Sequence, residues 1–251
     1  MKIRHFLYNS FLIESGKNKI AIDPGQNLWI FHLSSLIPET EWKSITHILI
    51  THGDPDHYWQ ADRVAEASNA PVVCGKELAK LENSETLLVD PRGRGLTSWI
   101  PFKNVHPLDI GEAVILGDVK IEAVRTVHGP ISIPILWFKI KQQPGPGERV
   151  GIGSVGFKIT IDGKTIVNLG DSILQTKWAG LKPDVLMLPI GGSGNNTWTM
   201  DVTDALEAVK IIAPKKVIPC HYNVAFFWIK NIASADDQLF KREVEKLGVE
   251  C

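Results

Sequence analysis

Cysteine is scarce in this chain, and so is any excess of one charge. Cys74, Cys220 and Cys251 are the only three, and no C-x-x-C spacing occurs. That excludes a disulfide framework or a cysteine-based zinc knuckle and suits a reducing compartment. Lys and Arg number 27 against 28 Asp and Glu, a formal net charge of −1, so no overall basic field recommends a nucleic acid as partner. No apolar run approaches the roughly 18 residues of a membrane span. The first 16 residues carry Lys2 and Arg4, but Asn9 and Ser10 interrupt their apolar run and no small-residue cleavage site follows, so no secretory leader is expected. No disordered linker or short repeat divides the chain. At 251 residues one layered domain over 1–251, located in the cytoplasm, is the expectation.

What is present is concentrated in ten residues, Ile48-Leu49-Ile50-Thr51-His52-Gly53-Asp54-Pro55-Asp56-His57. A β-branched apolar run reads as a buried strand, and Gly53 and Pro55 then force a turn. Two imidazoles and two carboxylates therefore sit on a loop at a strand's end. Burying such carboxylates costs several kcal/mol, by order of magnitude, unless they are paired or coordinated. A metal site is the reading that removes this cost, and a solvated polar turn is the plain alternative.

Along the chain, short apolar runs at 3–7, 11–14 and 19–22 read as an antiparallel start. The third ends at Asp23-Pro24-Gly25, where Asp23 is read as a turn residue. After the metal loop, Trp59, Ala61, Val64 and Ala65 fall at helical spacing until Pro71. Residues 72–74 read as a strand, 76–81 as a helix, 90–107 as a solvated loop, 119–127 as a strand and 131–140 as one further strand. Gly151 to Gly156 matches G-x-G-x-x-G, and Asp171 lies 20 residues beyond Gly151. The dinucleotide fingerprint needs a following helix, however, whereas Phe157 to Ile161 alternates and leads through Asp162-Gly163 into a second apolar run. The expectation here is a hairpin. The glycine-rich loop at 191–196 lacks the Gly-Lys-Ser/Thr ending of a phosphate cradle. Strands at 185–189 and 216–220, a helix capped by Asp201 or Thr199 and a last helix capped by Ser234 complete the reading, the last helix turning Leu239, Phe240, Val244 and Leu247 inward.

One rhyme links distant segments: apolar runs end at His52, at His128, at Asp171 and at His221. If those strands end at a common edge, His52, Asp54, Asp56, His57, His128, Asp171 and His221 meet there, enough donors for two metal ions. Mixed imidazole and carboxylate donors suit Zn and also accept Fe or Mn. His5, His32, His47 and His106 lack this context and are read as ordinary polar residues.

At this point the chain resembles the metallo-β-lactamase superfamily, whose T-H-x-H-x-D-H signature matches Thr51 to His57 with one departure. Asp54 stands where a histidine is usual, and Asn9 stands where many relatives place one. Leu188-Pro189-Ile190-Gly191-Gly192, Thr199-Met200-Asp201 and Ile218-Pro219-Cys220-His221-Tyr222 look most similar to the cytosolic metal-dependent hydrolases related to ascorbate-6-phosphate lactonase. The resemblance implies an α/β (α+β) fold, the four-layered αββα sandwich. By motif position it implies that His52, Asp54 and His128 hold a first metal, that Asp56, His57 and His221 hold a second, and that Asp171 bridges them.

The chemistry expected from such a site is metal-dependent hydrolysis, a metal-bound hydroxide attacking an ester, lactone or phosphoester bond of a small molecule. Asp56, besides binding, is the residue to orient that hydroxide or to pass its proton to the leaving group. Tyr222 and Asn223 follow a ligand and so become candidates for substrate contact, with packing as the commoner fate. Two rival chemistries share the fold: a di-iron redox centre, encouraged by Asp54, and nuclease action on tRNA precursors, disfavoured by the near-neutral charge. A metal-binding module without turnover is a third alternative. Substrate identity and oligomeric state, a homo-oligomer included, stay open at this level.

Overall fold

The computed structural model describes residues 1–29, 34–79, 104–135, 138–142, 150–192, 197–225 and 231–251. Within them two six-stranded sheets lie face to face. The first runs in chain order from β1 (Lys2–His5) through β2 (Phe11–Ser15), β3 (Asn18–Ile22), β4 (His47–Ile50) and β5 (Val72–Gly75) to β6 (Val105–Leu108). The second is built from β7 (Ala113–Leu116), β8 (Val119–Val124), β11 (Gly156–Ile161), β12 (Lys164–Asn168), β13 (Val185–Pro189) and β14 (Lys216–Cys220), in the spatial order β14-β13-β12-β11-β8-β7. β9 (Ile131–Ile135) and β10 (Phe138–Gln142) form a separate antiparallel ribbon. The expectation of one continuous strand over 131–140 is thereby corrected to two strands that fold back on each other.

Burial sorts the strands into layers. Between the sheets, Phe11, Ile13, Ile20, Ile22 and Leu49 of the first meet Ile121, Phe157, Ile159, Ile166 and Met187 of the second, all of them almost fully buried. The first sheet's other face, with Ile48, Ile50, Val72 and Cys74, takes Trp42 of α1 (Glu39–Trp42) and Ala61 and Val64 of α3 (Ala61–Ser68). The second sheet's other face, with Val167, Leu186, Leu188 and Val217, packs on α5 (Val202–Ile212) and α6 (Asp237–Lys246). The central strands are therefore covered on both faces and read as continuous apolar runs rather than alternating ones. Helix, sheet, sheet and helix make the αββα sandwich.

Local chemistry explains the element ends. Of the two caps the sequence offers, Asp201 is the one that caps α5, accepting from Asp204 N at 2.9 Å. The last helix is capped by Asp236, which accepts from Leu239 N at 2.8 Å, not by Ser234. Phe240 and Val244, four residues apart, are its buried stripe, whereas Leu239 and Leu247 flank that stripe and are exposed at 38% and 44%. β11 and β12 form the predicted hairpin, with both Asp162 and Gly163 in the left-handed region that a two-residue turn requires. β6 escapes the sequence reading because Pro107 interrupts it, and it lies at the sheet edge, where a missing N–H is tolerated. Most of the loop expected at 90–107 lies outside the described residues. Among the described residues no helix is long and apolar enough to cross a membrane.

Candidate metal centre

The loops that carry the donors leave both sheets at one rim. β4 leads through Thr51 to His52 and into α2 (Pro55–Tyr58), which holds Asp56 and His57; His128 lies beyond β8, Asp171 beyond β12, and His221 directly follows β14. All seven predicted side chains meet there, each at most 9% exposed. Their donor atoms form three groups in which all atoms lie within 4.8 Å of one another: His52, Asp54 and His128; Asp56, His57 and His221; and His52, His57 and Asp171. Asp171 Oδ2 is 3.1 Å from His221 Nε2, 3.8 Å from His57 Nε2 and 3.9 Å from His128 Nε2, so one carboxylate faces both outer groups.

The partners of the imidazoles decide which ring nitrogen faces the cluster. His57 Nδ1 lies 2.7 Å from Asp23 Oδ2, and His128 Nδ1 lies 2.6 Å from Gly129 O. Carbonyl and carboxylate oxygens only accept, so both Nδ1 atoms carry protons and both Nε2 atoms turn to the other donors. Thr51 Oγ1 donates to Asp23 Oδ2 at 2.6 Å and is left to accept from His52 Nδ1 at 3.0 Å. Such outer partners orient ligand imidazoles and raise their basicity. Asp54 is held in the same way, its Oδ1 accepting from Gly151 N at 2.9 Å while its Oδ2 lies 3.3 Å from His128 Nε2 and 3.5 Å from His52 Nε2.

These donors fit cations. His52 Nε2, His57 Nε2 and Asp171 Oδ1 are buried without a hydrogen-bond partner among the described residues, although carboxylates stand near both rings. An unmet buried polar atom costs about 1–3 kcal/mol, and the two ring nitrogens, set among nitrogen and oxygen donors within 4.8 Å of one another, are what a bound ion would satisfy. Charge tells the same story. Burial opposes a proton on His57, yet Asp56, Asp23 and Asp171 together hold its pKa well above the ordinary imidazole value. His128 and His221 are also raised against burial, by Asp54 and by Asp171 respectively, while burial and then His57 lower His52. Burial acts to raise Asp54 and Asp56, but the neighbouring imidazoles win and depress both.

A pH dependence follows. Raised histidines contribute stability that is fully present below the unfolded value of about 6.5 and lost as pH climbs through their folded values. His5, His47 and His52, which burial lowers, act in the opposite sense, but they are neutral in both states above the unfolded value, so the slope there belongs to the raised three. The metal-free protein is therefore expected to melt at progressively lower temperature as pH rises above about 6.5. Metal binding releases protons and tightens over the same range, so the gap in melting temperature between metal-loaded and metal-free protein should widen from pH 6 to pH 9. Thermal scans of both forms measure it; a gap that is constant or shrinks contradicts the proton inventory.

The sequence reading misses what surrounds the donors. Asp23, read as a turn residue, does take the left-handed turn conformation, but its fully buried carboxylate also receives Thr51 N at 2.7 Å, Thr51 Oγ1, His57 Nδ1 and, at 2.6 Å, Asn9 Nδ2. The sequence does carry a signal for it, since Asp23 directly follows β3 as His221 follows β14. Asn9 is fully buried, and it joins Asp23 to Asn168 of β12, the latter by bonds of 2.9 and 3.0 Å. The G-x-G-x-x-G stretch leads into β11 and not into a helix, and Gly151 N holds Asp54 Oδ1. Tyr222 packs against the second sheet's helices and reaches Asp237 at 3.5 Å, while the exposed Asn223 accepts from Ala235 N at 3.2 Å. His5, His47 and His106 bind nearby oxygens away from the cluster, and His32 lies outside the described residues. A cavity opens on the donors, with Asp54, Asp56, His128, Asp171 and His221 on one side and Tyr8, Leu28, Trp198, Val224 and Ile232 on the other.

This arrangement can be compared with known proteins. The family model described as Beta-lactamase superfamily domain matches residues 2–221. The chain belongs to that superfamily. A UPF0173 metal-dependent hydrolase of Nanoarchaeum equitans is 32% identical over 258 residues, covering 100% of this chain and 95% of its own, which places the chain among the UPF0173 metal-dependent hydrolases. Igni18, a metallo hydrolase of the hyperthermophilic archaeon Ignicoccus hospitalis, superposes with a TM-score of 0.70 at 23% identity, over 99% of this chain and 91% of that one. CmlA of Streptomyces venezuelae, a diiron beta-hydroxylase, gives 0.66 at 16% identity over 99% of this chain and 51% of its own. Both structural likenesses show the shared fold. The expected superfamily and its layered sandwich hold for this hydrolase.

Proposed function

We propose that the chain uses two divalent cations, with zinc the first choice and manganese or iron acceptable, to hydrolyse an ester, lactone or phosphoester bond of a small molecule. The observation that carries this reading is the pair of outer groups, each made of two imidazoles and one carboxylate, with Asp171 facing both. His52, Asp54 and His128 would hold one ion, Asp56, His57 and His221 the other, and Asp171 would join them. Ions so placed supply a water that ionises near neutral pH and a Lewis acid for the oxygen that becomes negative.

The chain's own residues do the rest. Asp23, Thr51 and Gly129 keep three Nε2 lone pairs aimed inward, and Gly151 N keeps Asp54 from turning away. Asp56, whose Oδ2 lies 3.1 Å from His221 Nε2 and 3.3 Å from His57 Nε2, is the carboxylate to take the proton of the attacking water and return it to the leaving oxygen. No serine or cysteine nucleophile is required, and the nearby Cys220 is unsuited to that role because burial, then Asp171 and Asp23, push its thiol pKa well up.

One observation favours a second reading. Two imidazoles with one carboxylate is also the donor set of non-haem iron oxygenases, and Asp54 is what makes the first group of that kind. Protein purified without added metal distinguishes the two chemistries. Zinc or manganese near two per chain, with turnover of lactones, carboxylic esters or phosphodiesters, is the expected result. Iron with oxygen consumption and no hydrolysis would replace it with the redox reading.

A further inference from the structure

Two fully buried amides join strand ends from both sheets. Asn9 stands in the turn between β1 and β2, and Asn168 is the last residue of β12. They exchange two hydrogen bonds, Asn9 Nδ2 donating to Asn168 Oδ1 at 3.0 Å and Asn168 Nδ2 donating to Asn9 Oδ1 at 2.9 Å. Each then uses what it has left. Asn9 Nδ2 also donates to Asp23 Oδ2 at 2.6 Å, and its Oδ1 accepts from the Cys220 thiol at 3.4 Å. Asn168 Oδ1 accepts from Gly170 N at 3.0 Å, and its Nδ2 donates to Met187 Sδ at 3.6 Å. An amide offers two N–H donors and two lone pairs, so both side chains are fully engaged.

The outer partners permit one orientation of each amide. A carboxylate accepts, so Asn9 turns its nitrogen to Asp23; a backbone N–H donates, so Asn168 turns its oxygen to Gly170. Three donor-bearing ends thereby converge on the pair. Asp23 holds His57 Nδ1 at 2.7 Å, Gly170 directly precedes Asp171, and Cys220 directly precedes His221. Gly170 has φ +56°, and a Cβ there would fall 2.7 Å from Thr51 Cβ, so the turn that bears Asp171 is pressed against the residue before His52. A buried network with every member satisfied favours a single arrangement, because each alternative leaves a polar atom unmet at a cost of about 1–3 kcal/mol.

Resting on the two-cation reading of the site, we infer that Asn9 and Asn168 are positioning residues: their paired amides lock the Asp171 turn to the arm formed by Asp23 and His57, so that the carboxylate facing both donor groups keeps its place between them. The rival account is packing alone, in which the pair fills space between the sheets and affects stability only.

The test titrates cobalt(II) alone, whose visible absorption reports the number and arrangement of its ligands, into the metal-free, full-length protein in competition with a chelator. The wild-type protein should take up two ions. Asn168→Ser keeps a hydroxyl able to accept from the N–H two residues on, but it withdraws from Asn9. This variant should weaken cobalt about tenfold, the lower end of the scale for outer partners, at both ions because Asp171 faces both groups, and it should alter the absorption of the cobalt that binds. Val244→Ala is the control. Val244 of α6 is fully buried in the outer helix layer, so its truncation should lower the melting temperature of the metal-free protein and leave cobalt affinity and absorption as in wild type. Wild-type cobalt binding and absorption in Asn168→Ser overturns the inference, and so does an equal loss of cobalt affinity in Val244→Ala. Should Asn168→Ser fail to fold, Asn168→Asp decides by the same criterion, since it keeps the shape and the oxygen at Gly170 but replaces the N–H that Asn9 accepts. A wild-type protein that takes up fewer than two ions removes the two-cation reading and the inference with it. Two ions in wild type and an unaltered variant remove the inference alone.

Discussion

His57→Ala is expected to lower turnover by about three orders of magnitude and to strip metal from the protein. His57, like His52, belongs to two of the three donor groups, once with Asp56 and His221 and once with His52 and Asp171. On the proposed ligand set, removing it would take a nitrogen from one ion and loosen the carboxylate that faces both groups. It also leaves the buried carboxylate of Asp23 without its 2.7 Å partner, a loss that costs more than the bond itself because the charge stays buried. A metal site stabilises developing charge by several kcal/mol, and each 1.36 kcal/mol is a factor of ten in rate, so a loss of roughly 10³ is the expected scale. Metal content after dialysis and kcat on the best ester substrate are the measurements. Full metal content with turnover within tenfold of the parent would contradict the proposed ligand set. Lower metal content with no turnover in either protein would point instead to a binding module without catalysis.

Gly151→Ala tests the support beneath the first donor group. Gly151 has φ +64°, and a Cβ there would fall 2.5 Å from both Cβ and Cγ of His128. Its N–H is also the donor that holds Asp54 Oδ1. Left-handed backbone costs a residue with a side chain about 1–2 kcal/mol, and the collision adds to it, since buried backbone and ring have little room to move. A total of roughly 2–4 kcal/mol lowers the melting temperature of a chain of this length by about 5–15 °C. Metal affinity at the His52, Asp54 and His128 group should fall about 10–100-fold, the usual scale for losing an outer partner. Gly111→Ala is the control, because Gly111 also has a positive φ, +87°, but nothing lies within 4 Å of its would-be Cβ. Strain alone predicts similar losses for the two variants. Contact with His128 predicts a larger loss for Gly151→Ala, confined to one ion in a metal titration. Equal stability and equal metal binding in the two variants would sink the assigned role.

Much of the frame is legible in the chain itself. Apolar runs of four to six residues bounded by Gly, Pro, Asn and Asp read as strands because both faces of the central strands are covered, and the hairpin at Asp162-Gly163 follows from turn chemistry that needs no partner. The readings that fail do so where a neighbour overrules the local pattern. Residues 131–140 form an apolar run and still fold back on themselves. Ser234 is a good cap in isolation, but the helix starts two residues later, at Asp236. Asp23 shows the limit most clearly: its turn role is local and correct, while its grip on His57, 34 residues away, has no local trace.

The sequence by itself determined the donor types, their places at the ends of apolar runs and the kind of chemistry such donors serve, because side-chain chemistry and strand periodicity are properties of a few adjacent residues. Only the tertiary structure decided that four strand ends from two sheets share one rim, which imidazole nitrogen faces the cluster, and that Tyr8, Leu28, Trp198 and Val224 wall the space beside it. Those outcomes depend on strand order and register, which the packing of two apolar faces against each other sets across more than a hundred residues of chain, a range over which no local pattern extends.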